Sequence, residues 1–115
     1  MKAGGISIHA VDVAEGRVAA GLGVVLRRLA PEAALIGEGK IGANGVFDHP
    51  SVQGEGITAG TYEVTFAIGD FLRAGGREAA FLDLVPFRFE VRQPGEHYHL
   101  PFKFTPYGFS LFRGA

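Results

Sequence analysis

The chain has 115 residues, enough for one domain that buries roughly two-thirds of its extended-chain surface and too few for two independent cores. Apolar residues make up 47% against 20% charged, which excludes a disordered tail; 11 basic and 12 acidic side chains leave a net charge of −1, no footprint for nucleic acid or an anionic membrane. The absence of cysteine excludes a disulfide framework and a thiolate zinc site.

In chain order, residues 6–13 alternate: Ile6, Ile8 and Ala10 suit a core, and Ser7, His9 and Val11 take the opposite face. Strands are expected again at 22–29 and 35–41, and Asn44-Gly45 then gives a tight-turn signal. Tyr62, Val64, Phe66 and Ile68 alternate with Glu63, Thr65 and Ala67 in a further strand. Residues 69–75 read as one brief helix, with Asp70 as its cap and Gly75-Gly76 as its stop. Phe87, Phe89 and Val91 alternate with Arg88, Glu90 and Arg92, and Gln93-Pro94-Gly95-Glu96 then suits a type II turn. Tyr98, Leu100, Phe102 and Phe104 alternate with His97, His99, Pro101 and Lys103, and a last strand is expected at 109–113. Seven or eight short strands with one short helix define an all-β, two-sheet β-sandwich, built as a single domain over residues 1–115 from antiparallel sheets with one covered face. No apolar run approaches the ~20 residues of a membrane span, and no N-terminal signal is visible, so a cytoplasmic location is the expectation.

The chemistry-bearing residues are His9, His49, His97 and His99. His97 and His99, two apart on a strand, share a face with Pro101 and Lys103. On an isolated sandwich that face meets solvent and its histidines are surface residues. If two such faces meet across a subunit interface, Val11, Pro101 and Phe112 beside His9, His99 and Lys103 line a channel with convergent titratable groups, the make-up of a small-molecule site. His97-x-His99 is also a conceivable metal pair, with His9 or His49 as a third ligand, although the spacing alone is weak evidence. Gly37-Glu-Gly39-Lys-Ile-Gly42 spells a dinucleotide-type glycine motif, but Asn44-Gly45 follows where a helix would have to open. Ser7, Ser51 and Ser110 sit in no nucleophile elbow.

The segments Ile6-Ser7-Ile8-His9-Ala10-Val11-Asp12, Gly16-Arg17-Val18-Ala19-Ala20, Gly60-Thr61-Tyr62-Glu63, Phe81-Leu82-Asp83-Leu84-Val85-Pro86, Glu96-His97-Tyr98-His99-Leu100-Pro101 and Thr105-Pro106-Tyr107-Gly108-Phe109-Ser110-Leu111-Phe112-Arg113-Gly114-Ala115 together resemble the transthyretin-like 5-hydroxyisourate hydrolases across nearly the whole chain. The resemblance implies a transthyretin-like sandwich assembled as a homotetramer, a dimer of dimers with a ligand channel between the dimers. It also implies hydrolysis of a ring bond of 5-hydroxyisourate, the unstable product of urate oxidation, with no obligatory cofactor and no metal. His9 and His99 match the family's two catalytic histidines, and Arg113 and Gly114 match its terminal tetrapeptide.

Three positions depart from the family pattern. Val46 stands where the family carries an active-site arginine, and Phe112 and Ala115 replace the outer tyrosine and serine of the tetrapeptide. A valine cannot supply paired donors to a carbonyl or anion, a loss on the order of 1.5–3 kcal/mol for one charge-assisted contact. Lys103 stands where the family has an apolar residue, and is expected to replace the missing positive charge, with His49 a weaker candidate. The expected ligand-binding set is therefore Lys103, Arg113, Val46, Ser110 and Phe112 around the catalytic pair His9 and His99. The ligand is a ureide or purine-derived small molecule. The alternative is a tetrameric binding protein of the transthyretin type that keeps the channel without the chemistry.

Overall fold

A computed structural model describes residues 4–114; Ala115, expected to complete the terminal tetrapeptide, lies outside the described residues. Eight strands form two four-stranded sheets. One sheet has the order β2 (Arg17–Val18), β1 (Ile6–Asp12), β7 (Tyr98–Thr105), β8 (Gly108–Leu111). The other has the order β4 (Ala34–Lys40), β3 (Gly23–Ala30), β5 (Gly60–Ala67), β6 (Leu84–Val91). The alternation read from the sequence is the alternation of burial: Ile6, Ile8 and Ala10 on β1 and Tyr98, Leu100, Phe102 and Phe104 on β7 face the other sheet and are almost solvent-free. Phe66 on β5 meets Phe102 on β7 across the sandwich, their rings parallel within 7° at a centroid distance of 3.8 Å. Phe71 of the helix closes one end with its ring edge-on to Phe104.

Four local expectations are corrected. The central pair β1–β7 is parallel, not antiparallel; the chain reaches it by crossing to the second sheet and back. Ile68 opens the helix α1 (Ile68–Ala74) and does not end β5. Asp70 does not cap that helix: the cap position is Ala67, which offers no side-chain bond, and Asp70 instead pairs with Arg73 at 3.3 Å. The Gln93–Glu96 turn is closed by the Glu96 N–H donating to the Gln93 carbonyl at 2.9 Å, but Gly95 lacks the positive φ a type II turn requires. The glycine motif at 37–42 runs through strand β4 into the Asn44-Gly45 turn, with no helix for a phosphate to meet. Two short elements carry no strong sequence signal, strand β2 and the 3-10 turn Pro50–Gln53.

Asp12, at the end of β1, is 1% exposed and accepts a 2.6 Å bond from Arg77, which ties β1 to the segment after α1. No helix among the described residues is long and apolar enough to cross a membrane. Because Phe102 carries the stacking between the sheets, Phe102→Ala should lower unfolding stability by about 3–5 kcal/mol, measured by denaturant titration with an unchanged slope.

Candidate active site

The outer face of the first sheet is organised by the register of its strands. Parallel pairing of β1 with β7 sets Ser7 beside His99, His9 beside Pro101 and Val11 beside Lys103. Antiparallel pairing of β7 with β8 sets Lys103 beside Ser110. The same register, carried past the end of β8, pairs His99 with Gly114 and puts Phe112 opposite Pro101. Proline has no N–H to donate there, which accounts for the gap in the ladder between Leu111 and Gly114. On the other edge, an antiparallel bridge sets Val46 beside His9, fixed by Ala10 N–H to Gly45 O at 2.9 Å and Phe47 N–H to Ile8 O at 3.0 Å.

Three rows of side chains therefore cross the sheet. Val46, His9, Pro101 and Phe112 form one; Ser7, His99 and Gly114 form the next; Val18, Val11, Lys103 and Ser110 form the third. His9, His99, Val46, Pro101 and Val11 are partly buried, whereas Lys103, Ser110 and Phe112 are exposed on the protomer. Six of the seven residues expected at the site thus lie on one face.

Arg113 does not join them. It lies one residue out of phase with Phe112 and Gly114, so its guanidinium passes to the other side, 4.0 Å above the Tyr98 ring, donating to Glu96 at 3.1 Å and to the His97 carbonyl at 3.3 Å. Its charge is spent on Glu96 and the end of β7. His49 is also elsewhere: its ring lies parallel to that of Phe47, covers the backbone of Gly37 and caps the Pro50–Gln53 turn through Ser51. It can neither compensate for Val46 nor act as a third metal ligand. His97 offers no free ring nitrogen, since Nδ1 contacts the Gly4 carbonyl at 2.6 Å and Nε2 contacts Ser7 Oγ at 2.7 Å.

Two close approaches shape the histidine environment. Gly45 has φ of 84°, and a Cβ there would stand 2.8 Å from His9 Nε2 and from Val18 Cγ1. A Cβ on Gly114 would stand 3.1 Å from His99 Cδ2, while the Gly114 N–H donates to the His99 carbonyl at 2.7 Å. Burial lowers the His99 pKa from the ordinary 6.5, and the neighbouring His97 and His9 push it the same way. Its environment thus favours the neutral imidazole, the form that can accept a proton. Ser7, which touches His99 Nδ1 at 2.7 Å, is the site residue that sequence reading passed over. Strand parity placed it on this face, but only the β1–β7 register shows that it stands beside His99.

Two cavities of the protomer lie off the histidine pair, the first touching the rows only at Val18. One of about 590 Å³ is lined by Arg17, Lys40, Phe71 and Arg77, and one of about 340 Å³ by Phe87, Phe89, Tyr98, Leu100 and Arg113. The histidine face itself is a sheet surface that a second surface would have to cover to make an enclosed site.

The fold and the paired histidines define a transthyretin-like β-sandwich with a polar site on one sheet. The chain belongs to the HIUase/Transthyretin family, whose sequence profile matches residues 6–114. It is 41% identical to 5-hydroxyisourate hydrolase 2 of Rhizobium meliloti, over 99% of this chain and 98% of that protein. Among solved structures it resembles Klebsiella pneumoniae 5-hydroxyisourate hydrolase, with TM-score 0.80, 30% identity and all of both chains covered. It also resembles an (S)-allantoin synthase, with TM-score 0.91 and 32% identity; 99% of this chain is covered, but it spans only 44% of that longer protein.

Gly45→Ala should cost about 1–3 kcal/mol of stability through the strained φ and displace the His9 ring. Denaturant titration together with the His9 ring chemical shifts checks both effects.

Proposed function

We propose that this protein hydrolyses 5-hydroxyisourate in the cytoplasm, in a channel formed where the histidine faces of two dimers meet in a homotetramer. The observation that carries the reading is the placement of His9 and His99 on one face, in adjacent rows, in a chain whose full-length relatives are named as 5-hydroxyisourate hydrolases. The neutral imidazole of His99 takes a proton from water, the resulting hydroxide adds to a ring carbonyl, and the ring C–N bond breaks as its nitrogen takes up a proton. His9, one row away, orients the water or the substrate. Lys103 is the cation among the described residues of these rows, and it stabilises the negative charge that develops on the carbonyl oxygen. Arg113, turned to the other side of the sheet, takes no part in that step. Pro101, Phe112, Val11 and Val46 supply apolar walls, and Ser110 a hydroxyl beside Lys103.

The test is the absorbance decay of freshly generated 5-hydroxyisourate. His9→Ala and His99→Ala should each reduce kcat/KM by about 10²-fold or more, the usual contribution of a positioned acid or base. Lys103→Met should raise KM or lower kcat by about tenfold, as expected for one lost charge-assisted contact. Since the base must be unprotonated and burial lowers the His99 pKa from its ordinary value, the acid limb of the rate profile should lie at lower pH than that of a free imidazole.

A second reading has one specific observation in its favour: the residue bridged to His9 is valine, where the family pattern has arginine. On that reading the tetramer binds a ureide without turning it over. Decay no faster than in buffer, with saturable ureide binding by calorimetry, would establish it.

A further inference from the structure

Ser7 and His97 form a chain of hydrogen bonds that ends on His99, and the direction of that chain can be worked out atom by atom. The Gly4 carbonyl can only accept, so His97 Nδ1, 2.6 Å away, carries a proton. In neutral His97 the other nitrogen, Nε2, is then a bare acceptor, and the partner 2.7 Å from it, Ser7 Oγ, must donate to it. A serine hydroxyl has one proton. With that proton committed to His97, Ser7 Oγ can only accept from His99 Nδ1, which stands 2.7 Å away. His99 is thereby held with its proton on Nδ1 and its lone pair on Nε2. The whole chain is anchored on the main chain at Gly4, and the β1–β7 register that sets Ser7 beside His99 fixes its length.

We infer that Ser7 and His97 are positioning residues that set the tautomer of His99, presenting Nε2 as the proton acceptor, and that the charge on His97 controls this setting. When exposed His97 takes up a second proton, its Nε2 becomes a donor to Ser7. The Ser7 hydroxyl is then released to donate to His99 Nδ1, which moves the His99 proton to Nε2 and withdraws the acceptor. Among the described residues, the other charged or titratable groups around this chain are His9 from β1, Lys103 from β7, Glu96 from the preceding turn and Arg113 beyond β8. Glu96 and Arg113 are paired with each other, so they bring little net charge to His97. Proton uptake at His97 thus acts as a brake on the site, transmitted through one hydroxyl. This inference rests on the hydrolase reading only for its kinetic consequence; the tautomer itself is a property of the free protein.

The experiment is 15N-edited NMR of the imidazole rings in the full-length, ligand-free protein, run beside 5-hydroxyisourate kinetics. In the wild type above the His99 pKa, His99 should carry its proton on Nδ1. Ser7→Ala should shift that population towards Nε2–H and lower kcat by about tenfold with KM held within about twofold, a fraction of what a general base contributes. Ser7→Thr, which keeps the hydroxyl on a strand-favouring residue, should restore both readouts. His97→Gln, which removes the group whose protonation withdraws the acceptor, should hold the Nδ1–H tautomer of His99, and with it the kcat plateau, to lower pH than in the wild type. An Nε2–H tautomer of His99 in the wild type, or a His99 ring spectrum that neither Ser7→Ala nor His97→Gln alters, overturns the inference. If the ring spectra respond as expected while no form of the protein hydrolyses the compound, the hydrogen-bond chain stands and the hydrolase reading falls.

Discussion

The parallel register of β1 and β7 is the constraint on which the site depends. Both strands bury every second side chain against the other sheet, so neither can slip by one residue without turning Ile8, Ala10, Leu100 and Phe102 out to solvent. A slip by two would keep the core residues inside but would move His99 away from Ser7 and break the bonds that orient its ring. Core packing thus holds the polar face in phase, and the polar face distinguishes between registers that the core alone would tolerate. The Phe66–Phe102 stack adds a restraint from the facing sheet, because it fixes β7 against β5 at the level of Pro101 and Lys103.

Much of this was legible in the residues. Period-two alternation gave the inner and outer faces of β1 and β7 correctly, including Lys103 on the outer one, because apolar burial alone decides that question. The Asn44-Gly45 turn was legible because Gly45 needs its positive φ. What escaped were relations between segments distant in the chain. Whether β1 runs parallel or antiparallel to β7 changes no side chain's hydrophobicity, so composition carries no trace of it. His49 looked available because its neighbours are unremarkable; only the return of β4 brings Gly37 beneath its ring. Arg113 was assigned to the channel through its place in a terminal motif, whereas its phase relative to Ser110 and Phe112 already pointed it the other way. Local parity is a safer guide there than membership of a motif, since the strand geometry acts on each residue separately.

The electrostatics of the face are one-sided. Among the described residues its rows hold two imidazoles and an ammonium with no carboxylate side chain, and Glu96, in the turn before β7, is paired with Arg113. In a single protomer this arrangement is open to water and screened. If another surface covers it, the ammonium and the imidazoles lie in a less polar medium, where each interaction with a bound molecule strengthens. Assembly would then supply most of what turns an ordinary sheet surface into a reactive one.

The bridge between Val46 and His9 has a consequence of its own. The bonds that hold this segment to β1 run from Ala10 to Gly45 and from Phe47 to Ile8, all between main-chain atoms, and the Val46 side chain contributes to none of them. Whatever amino acid stands at that position is delivered to the same spot next to the imidazole, so a single codon can exchange a guanidinium for a methyl pair while the scaffold stays intact. The reactivity of such a protein can drift through one interchangeable fitting, and descendants with different appetites can share an unaltered frame.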